Sequence, residues 1–423
     1  MPRFKLLIFI GIGILAIFIL LIFFGVGRRP PTPANVTLEF WGMQDDEEDW
    51  REVIADFQKE FSSFSVNYRR FEENSYEDLL VNRLAEGRGP DIFVLKNSWV
   101  VKHKDKLFPL PQNRLQFSAL DFQNTFVDAA ADDLLSTNGE IIGLPIFVDT
   151  PALFYNKDVF NASGTALIPK TWDGVESVSR QLTQKNQLGE IQKPGFAFGT
   201  IANTEHFFEI LSSLILQKGE AIINGKTGQI DVGSRAAEVI DFYSSFSDPA
   251  KSNFSWTVRQ PKSMDALAEE IVPMALGMAS DLERLRAKNP HLNFGVSAFP
   301  QLAGARAKVV YADYFFPAVS KSSLNKDAAW QFLFFASSRG AAQKYLGQTG
   351  RAPARRDLIA GSPLSSELDV FAKQSLIARS WPVPDEKAAG RVLQEAVEAV
   401  LTKAMTSDQA VNRLREQLRL LLP

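Results

Sequence analysis

The sequence predicts an α/β protein of two domains, preceded by one membrane-spanning helix. The first observation is an uncharged, apolar stretch at residues 6–26. The second is an alternation of strand and helix patterns between residues 36 and 95, which is typical of an α/β fold. The third is the length of 423 residues, which exceeds one typical domain of about 100–150 residues.

Residues 6–26 consist only of Leu, Ile, Phe, Val, Ala and Gly. As a helix, this stretch would be roughly 31 Å long, which matches a bilayer core of about 30 Å. A cleavable signal peptide usually has an apolar region of only about 7–15 residues. We therefore expect an uncleaved, single-pass anchor over residues 1–27, with cleavage left open as the alternative. The proline-rich residues 28–35 predict a short, stiff spacer.

The composition excludes several kinds of chemistry. The absence of cysteine removes disulfides, zinc–thiolate sites, iron–sulfur clusters and thiol nucleophiles. The three histidines, His103, His206 and His291, lack the local spacing of a metal site, and there is no G-x-S-x-G motif. We expect no cofactor and no catalytic residue. The net charge of -3 gives no basic face for nucleic acid, so we expect no nucleic-acid partner.

The first elements follow from hydrophobic periodicity. Val36–Trp41 alternates as a strand does, and Asp45–Phe61 has the apolar spacing of a helix. Phe64–Phe71 predicts a second strand, a second helix begins near Ser75, and Asp91–Leu95 predicts a short buried strand. This βαβαβ order predicts a parallel sheet with right-handed crossovers.

The remainder of the chain predicts a second α/β region and a helical C-terminus. A helix is expected after Thr171, where Trp172 stands at the helix entrance. Further helices are expected near Glu205–Gln217, Ser234–Ser247, Asn325–Ser337, Arg339–Leu346 (closed by Gly347), and twice within Lys387–Leu422.

Ligands of parallel α/β sheets bind at the carboxyl ends of the strands. Two predicted loops there combine a tryptophan with polar groups: residues 41–44 after the first strand and residues 96–99 after the third. A flat indole ring can stack on a sugar while neighbouring polar groups bond its hydroxyls. The tryptophans in loops are Trp41, Trp99, Trp256 and Trp381, whereas Trp50, Trp172 and Trp330 lie where helix packing is expected.

An ordered set of motifs resembles family 1 of the extracellular solute-binding proteins, relatives of the maltose-binding protein. The set spans nearly all of residues 36–423. It comprises Thr37–Gly42, Gly89–Val94, Ile142–Pro145, Leu153–Phe160, Pro169–Asp173, Phe294–Pro300, Ser320–Phe334 and Gly350–Arg355. Beyond residue 277, Met278–Asp281 stands where family members often place an aromatic ligand contact.

The resemblance implies a periplasmic-binding-protein type II fold, in which two doubly wound sheets are joined by a hinge. Lobe 1 would comprise residues 36–147 and 300–352, and lobe 2 residues 148–299 and 353–423. It also implies that the bulk of the chain lies outside the cytoplasm, with Arg3 and Lys5 inside. The tether to the cell membrane, predicted from residues 6–26, departs from the many family members that are lipid-anchored or freely secreted.

The implied function is capture of a small polar ligand, a sugar or oligosaccharide, for delivery to an ABC transporter permease. Polyols, glycerol phosphates and peptides stay open as ligands. A membrane-anchored glycoside hydrolase and a sensory receptor are the alternatives. The residues expected to contact the ligand are Trp41, Gln44, Asn97 and Trp99 from lobe 1, Glu205, His206, Trp256, Asp281 and Trp381 from lobe 2, and Asp313 and Tyr314 from the returning segment.

Overall fold

The computed structural model describes residues 36–422, except residues 112–116, 166, 225–228, 306, 362–363 and 384. The predicted anchor at residues 6–26 and the spacer at residues 28–35 lie outside this range. Within the described part of the chain, no helix is both long and apolar enough to cross a membrane. The membrane-spanning helix therefore stays a prediction from the sequence.

Strands and helices alternate through the described residues. The strands are β1 (Val36–Gly42), β2 (Phe64–Arg70), β3 (Ile92–Lys96), β4 (Ala152–Asn156), β5 (Gln184–Lys185), β6 (Ile191–Lys193), β7 (Met274–Gly277), β8 (Phe294–Ser297), β9 (Val310–Tyr311), β10 (Phe315–Val319) and β11 (Ala378–Arg379). The helices are α1 (Glu47–Glu60), α2 (Glu73–Ala85), α3 (Val100–His103), α4 (Ala119–Thr125), α5 (Asp128–Leu134), α6 (Lys157–Ala162), α7 (Trp172–Leu182), α8 (Phe207–Gln217), α9 (Ser234–Ser245), α10 (Ser263–Ala268), α11 (Asp281–Lys288), α12 (Lys326–Ala336), α13 (Arg339–Thr349), α14 (Arg356–Gly361), α15 (Ser366–Ser375), α16 (Glu386–Leu401) and α17 (Ser407–Arg419).

The first sheet has the strand order β10-β3-β1-β2. Strands β1, β2 and β3 run parallel, which confirms the sheet predicted from the βαβαβ pattern. Strand β10 returns from far along the chain and pairs antiparallel with β3. Helix α1 buries Trp50, Val53 and Phe57 on the face that the helical spacing predicted. Helices α12 and α13 pack against α1 and complete this layer.

The second large sheet has the order β7-β4-β8, and its central strand β4 is antiparallel to both neighbours. The sequence predicted a second α/β region here without giving the direction of its strands. The residues of β4 are almost all buried, and a continuous apolar run reads the same in either direction. Strands β7 and β8 run in the same direction as each other and are connected through α11.

Three chain segments run side by side between the two sheets. The amide of Val148 donates to the carbonyl of Ala352 at 3.1 Å, and Asp149 and Asp313 exchange backbone hydrogen bonds of 2.9 and 3.0 Å. Near the predicted boundary at residue 300, the amide of Gln301 instead donates to Lys170. The chain therefore returns to the first sheet close to Asp313.

The end of helix α13 differs from the prediction, which placed it at Gly347. Helix α13 continues past Gly347 and ends at Gly350, whose φ of 62° is the left-handed conformation that glycine adopts easily. Helices α16 and α17 confirm the helical C-terminus, and they pack against α9. Trp50, Trp172 and Trp330 are buried, as expected for packing residues.

Candidate ligand-binding cleft

A cleft of about 610 Å³ opens at the carboxyl ends of β1, β3 and β7, where a ligand of an α/β sheet is expected. Most of its exposed surface is polar. Its lining residues are Met43, Gln44, Arg70, Glu72, Glu73, Asn74, Lys96, Phe147, Asp149, His206, Glu209, Met278, Ser280, Asp313, Phe315 and Arg351. Hydrogen-bonding and charged groups therefore dominate, and Phe147 and Phe315 supply the aromatic surface.

A cluster of three carboxylates surrounds the ammonium group of Lys96, the last residue of β3. The Nζ atom of Lys96 lies 2.9 Å from Oδ1 of Asp313 and 4.0 Å from Oε1 of Glu209, and it also contacts Glu386. The three carboxylates each have an oxygen within 4.8 Å of the others. Ser98 donates a hydrogen bond of 2.7 Å to Glu386. We call these four side chains, Lys96, Glu209, Asp313 and Glu386, the Lys96 cluster.

Burial decides the electrostatics of the Lys96 cluster. Burial raises the pKa of Asp313 to about 7, because the opposing effect of Lys96 is offset by the nearby charges of Glu209 and Glu386. Burial disfavours the charged form of Lys96, but the surrounding carboxylates, Asp313 first, raise its pKa above the ordinary value. The ammonium is therefore fully charged at neutral pH, while Asp313 titrates there.

These carboxylates are also the one group of three among the described residues whose spacing would suit a metal ion. The ammonium of Lys96 contacts two of the three and supplies positive charge at that place. This arrangement favours hydrogen bonding to a ligand over metal coordination.

His206 forms a second charged group at the cleft. Its Nε2 atom lies 2.8 Å from Oδ2 of Asp281. Burial would lower the pKa of His206, but the charge of Asp281 and the hydrogen bond to it outweigh burial and raise the pKa to about 9. The backbone of His206 has a φ of 57°, a left-handed conformation that is rare for a non-glycine residue and recurs at functional sites.

Asp149 and Arg351 occupy the other side of the cleft. Asp149 accepts hydrogen bonds from the amides of Thr150, Ala279 and Ser280 at 2.8, 2.9 and 3.1 Å. The guanidinium of Arg351 lies 2.7 Å from Asp45 and 4.3 Å from the ring centre of Phe147. Both charges are thus held in position by neighbouring groups.

Three of the residues predicted from the sequence, Gln44, His206 and Asp313, line the cleft. Asp281 lies behind His206 and bonds it. The carboxylate of Glu205 lies 3.0 Å from Arg284, which also binds Asp281 at 2.9 Å. Glu205 and Asp281 therefore support the cleft wall.

Asn97 and Tyr314 are brought together, but beside the cleft. The amide of Asn97 donates to Asp133 at 3.1 Å, and the hydroxyl of Tyr314 donates to the same carboxylate at 2.8 Å. Ser380 contacts Asp133 as well. Burial raises the pKa of Asp133 to about 6. The amide of Asn97 and the hydroxyl of Tyr314 are therefore occupied within the protein.

The structure places the four loop tryptophans outside the cleft, which corrects the expectation of an indole-lined site. Trp41 packs on Phe71 with ring centres 4.6 Å apart, and Trp381 packs on Phe208 at 5.4 Å. Trp256 is fully buried, and its Nε1 donates to Asn203 at 3.0 Å. Trp99 is half-buried against His103. Each ring packs against the protein, because burial of a large apolar ring surface is favourable.

Several cleft residues were missed. Lys96 carried a usable signal, since it ends a buried strand at the carboxyl edge of the sheet, next to the selected Asn97. Glu209 also carried one, because it lies three residues after His206 on one helical face. Asp149, Phe315, Arg351 and Glu386 reach the site or its border only through long-range folding, which local pattern does not reveal.

Comparison with known proteins identifies the family. Residues 42–343 match the model of the bacterial extracellular solute-binding protein family. Because this match covers well over half of the chain, the protein belongs to that family. The resemblance inferred from the ordered motifs is thereby confirmed.

Individual relatives are distant in sequence but similar in length and fold. A binding protein of Brucella abortus is 22% identical over 340 residues, covering 79% of this chain and 80% of the relative. The maltotriose-binding protein of Pyrococcus abyssi is 20% identical over 346 residues, covering 78% of this chain and 70% of the relative. The structure of the sugar-binding protein MalE from Xanthomonas citri matches with a TM-score of 0.78 at 22% identity, over 92% of this chain and 97% of that one. The chain therefore has the α/β fold of solute-binding proteins.

Proposed function

We propose that this protein is a membrane-tethered, extracytoplasmic solute-binding protein that captures a sugar or oligosaccharide and delivers it to an ABC transporter permease. The observation that carries the proposal is the polar cleft at the carboxyl ends of β1, β3 and β7. Its volume of about 610 Å³ falls within the range of about 300–1,000 Å³ that is usual for small-molecule sites. Carboxylates accept hydrogen bonds from hydroxyl groups, cationic side chains donate them, and the two phenylalanine rings offer apolar faces.

The ligand would be held by closure of two lobes. We divide the lobes as the sequence predicted, except that the chain returns to lobe 1 near Asp313 and not at residue 300. The Lys96 cluster supports this, because Lys96 belongs to the first sheet whereas Glu209 and Glu386 belong to the second predicted lobe. The three adjacent segments near Val148, Asp313 and Ala352 would act as the hinge. Closure would remove the polar contacts from water and strengthen them.

A sugar is proposed for two reasons. The Pyrococcus abyssi relative is named for maltotriose and the Xanthomonas citri structure for sugar. The cleft also offers both donors and acceptors, which suits a ligand with many hydroxyl groups.

A thermal-shift screen of the full-length protein would test ligand binding. The panel holds maltotriose, cellotriose and other saccharides, with polyols, glycerol phosphates and peptides as competing classes. A ligand at a hundredfold its dissociation constant should stabilise the protein by about 2.7 kcal/mol. His206→Ala should abolish the shift, and His291→Ala, an exposed histidine, should preserve it. A panel in which no saccharide shifts the transition would contradict the sugar assignment.

The glycoside hydrolase alternative requires two carboxylates that flank a scissile bond, about 5–10 Å apart. The cleft carboxylates of the Lys96 cluster lie within 4.8 Å and share one ammonium, which favours binding without reaction. Incubation with the oligosaccharides of the panel, followed by chromatography of the products, tests this directly. Cleavage that disappears in Glu209→Gln would establish the hydrolase instead.

The membrane anchor and the permease need separate tests. Full-length protein should remain with the membrane fraction after alkaline extraction, and a chain that starts at residue 28 should be released. A permease should co-purify with the anchored protein. Release of the full-length protein would refute the anchor, and a binding-competent protein without any permease partner would favour the sensory receptor.

A further inference from the structure

Negative charge exceeds positive charge in the cleft. Each cationic side chain that lines it already contacts a carboxylate: Arg70 with Asp46, Lys96 with Asp313, His206 with Asp281, and Arg351 with Asp45. Glu209, by contrast, has its nearest cation at 4.0 Å, and its side chain accepts no hydrogen bond from the described residues. With only 12% of that side chain exposed, water can solvate it poorly.

A second group near the same place also lacks a partner. Tyr311 is 1% exposed, and its hydroxyl has no hydrogen-bond partner among the described residues. Burial and the charges of Asp313, Glu386 and Glu209 raise the pKa of Tyr311. A buried hydroxyl without a partner costs free energy, but the ring of Tyr311 packs against Phe208 and Trp381 behind the cleft wall, so we assign it no ligand contact.

We propose that the ligand is a saccharide bearing a primary ammonium group, and that Glu209 is the residue that binds this ammonium. The inference rests on the proposed function and narrows its ligand class. An ammonium offers three donors, which suits the acceptor oxygens that Glu209 and Asp313 present to the cleft. Its charge would also compensate the excess of carboxylates around Lys96.

A neutral saccharide satisfies the same groups less completely. Its hydroxyls can donate to Glu209, but they bring no positive charge. Closing the cleft over a neutral ligand would shield the three acidic groups and one ammonium from water, which is costly. Even when Asp313, whose pKa is raised to about 7, carries its proton, two carboxylates face one ammonium. An ammonium-bearing ligand removes that cost.

Isothermal titration of the full-length protein in detergent at pH 6.5 tests the inference with matched sugars. The pairs are glucosamine with glucose, galactosamine with galactose, and a glucosamine trisaccharide with its N-acetylated counterpart; maltotriose is added as a neutral oligosaccharide. In at least one pair, the amine should bind about tenfold more tightly than its neutral partner, as a charge-assisted hydrogen bond predicts. Glu209→Gln should bring the affinities for the amine and for its neutral partner to within about twofold of each other, because the amide keeps an acceptor oxygen but carries no charge.

Glu283→Gln, which removes an exposed carboxylate on α11, should leave the preference intact and serves as the matched control. Neutral sugars that bind as tightly as the amines would overturn this inference and leave the proposed function standing. A preference that survives in Glu209→Gln would overturn the role of Glu209. If no sugar of either kind binds, the proposed function falls together with the inference.

Discussion

Two buried charged clusters of this protein are built differently. In the first, Asp45 accepts hydrogen bonds from Trp50 at 3.0 Å and from Tyr345 at 2.8 Å, and it pairs with Arg351 at 2.7 Å. One carboxylate is thus matched by one cation and two neutral donors. In the Lys96 cluster, one ammonium faces three carboxylates.

The difference separates a structural role from a binding role. A buried network whose groups are all satisfied rigidifies the fold, whereas a network with unused capacity is costly unless something else completes it. The Asp45 cluster joins α1 to α13, and its one carboxylate is balanced by one guanidinium. The Lys96 cluster lies open to the cleft, so a ligand can complete it.

The largest effect is expected for Asp45→Ala. The change leaves the buried guanidinium of Arg351 without its carboxylate, and it removes the acceptor for Trp50 and Tyr345. We expect the free energy of unfolding to fall by about 3–5 kcal/mol. Urea denaturation measures it, with the exposed Glu48→Ala as the control. A loss no larger than that of the control would refute the structural role of the Asp45 cluster.

Lys96→Met should destabilise the protein in a pH-dependent way. Without the ammonium, the three carboxylates repel one another, and the pKa of Asp313, already raised by burial, rises further above its value in the unfolded chain. Stability is therefore retained at low pH and lost as pH rises. We expect a loss of about 2–3 kcal/mol at pH 8 and a smaller loss at pH 5.

Denaturation at both pH values tests this second prediction. Lys344→Met removes a half-exposed lysine that pairs with Asp56 and provides the comparison. Equal losses at pH 5 and pH 8 would show that charge repulsion does not govern the Lys96 cluster.

Asp313→Asn should alter how stability depends on pH. Because the pKa of Asp313 is raised from 3.8 to about 7, the folded protein keeps a proton that the unfolded chain releases between these values. Asp313 therefore lowers stability as pH rises through this window, and the variant lacks that decline. The difference in unfolding free energy between variant and wild type should change by up to about 3 kcal/mol from pH 4.5 to pH 7. Parallel curves of stability against pH for the variant and the wild type would contradict this prediction. Asp78→Asn, which changes an exposed carboxylate, is the control.

The smallest effect on binding is expected for Trp256→Phe. This ring lies in the core, and its loss of the bond to Asn203 should cost about 1–2 kcal/mol of stability. The affinity for the saccharide found in the binding panel should change by less than about twofold, because the ring does not line the cleft. A large loss of affinity would return Trp256 to the binding site.

The sequence predicted more of the architecture than of the ligand-binding site. The periodicity of Trp50, Val53 and Phe57 identified α1, and the alternation around Phe40 identified β1, because both patterns are local. The direction of β4 could not be predicted, since its neighbours lie far away in sequence. The ordered motifs identified the family because their order along the chain matches the order expected for the family.

The site was predicted only in part, for a physical reason. The position of a tryptophan after a strand does not tell toward which neighbour its ring turns, and Trp41 turns toward Phe71. The Lys96 cluster combines residues from β3, α8, the start of β10 and α16, so it exists only in the folded chain. His206 was named among the expected contacts, whereas its neighbour Glu209 was one acidic residue among many.

The pairing of β10 with β3 has a consequence for biosynthesis. Until residues 315–319 have been made, β3 is an edge strand of the first sheet, with the apolar sequence Ile92–Leu95 unpaired. The bond from Tyr314 to Asn97 spans 217 residues, so this edge stays uncovered for most of translation. Unpaired apolar edges invite aggregation. Newly made chains should therefore need a chaperone that shields this strand until the ribosome has passed residue 319.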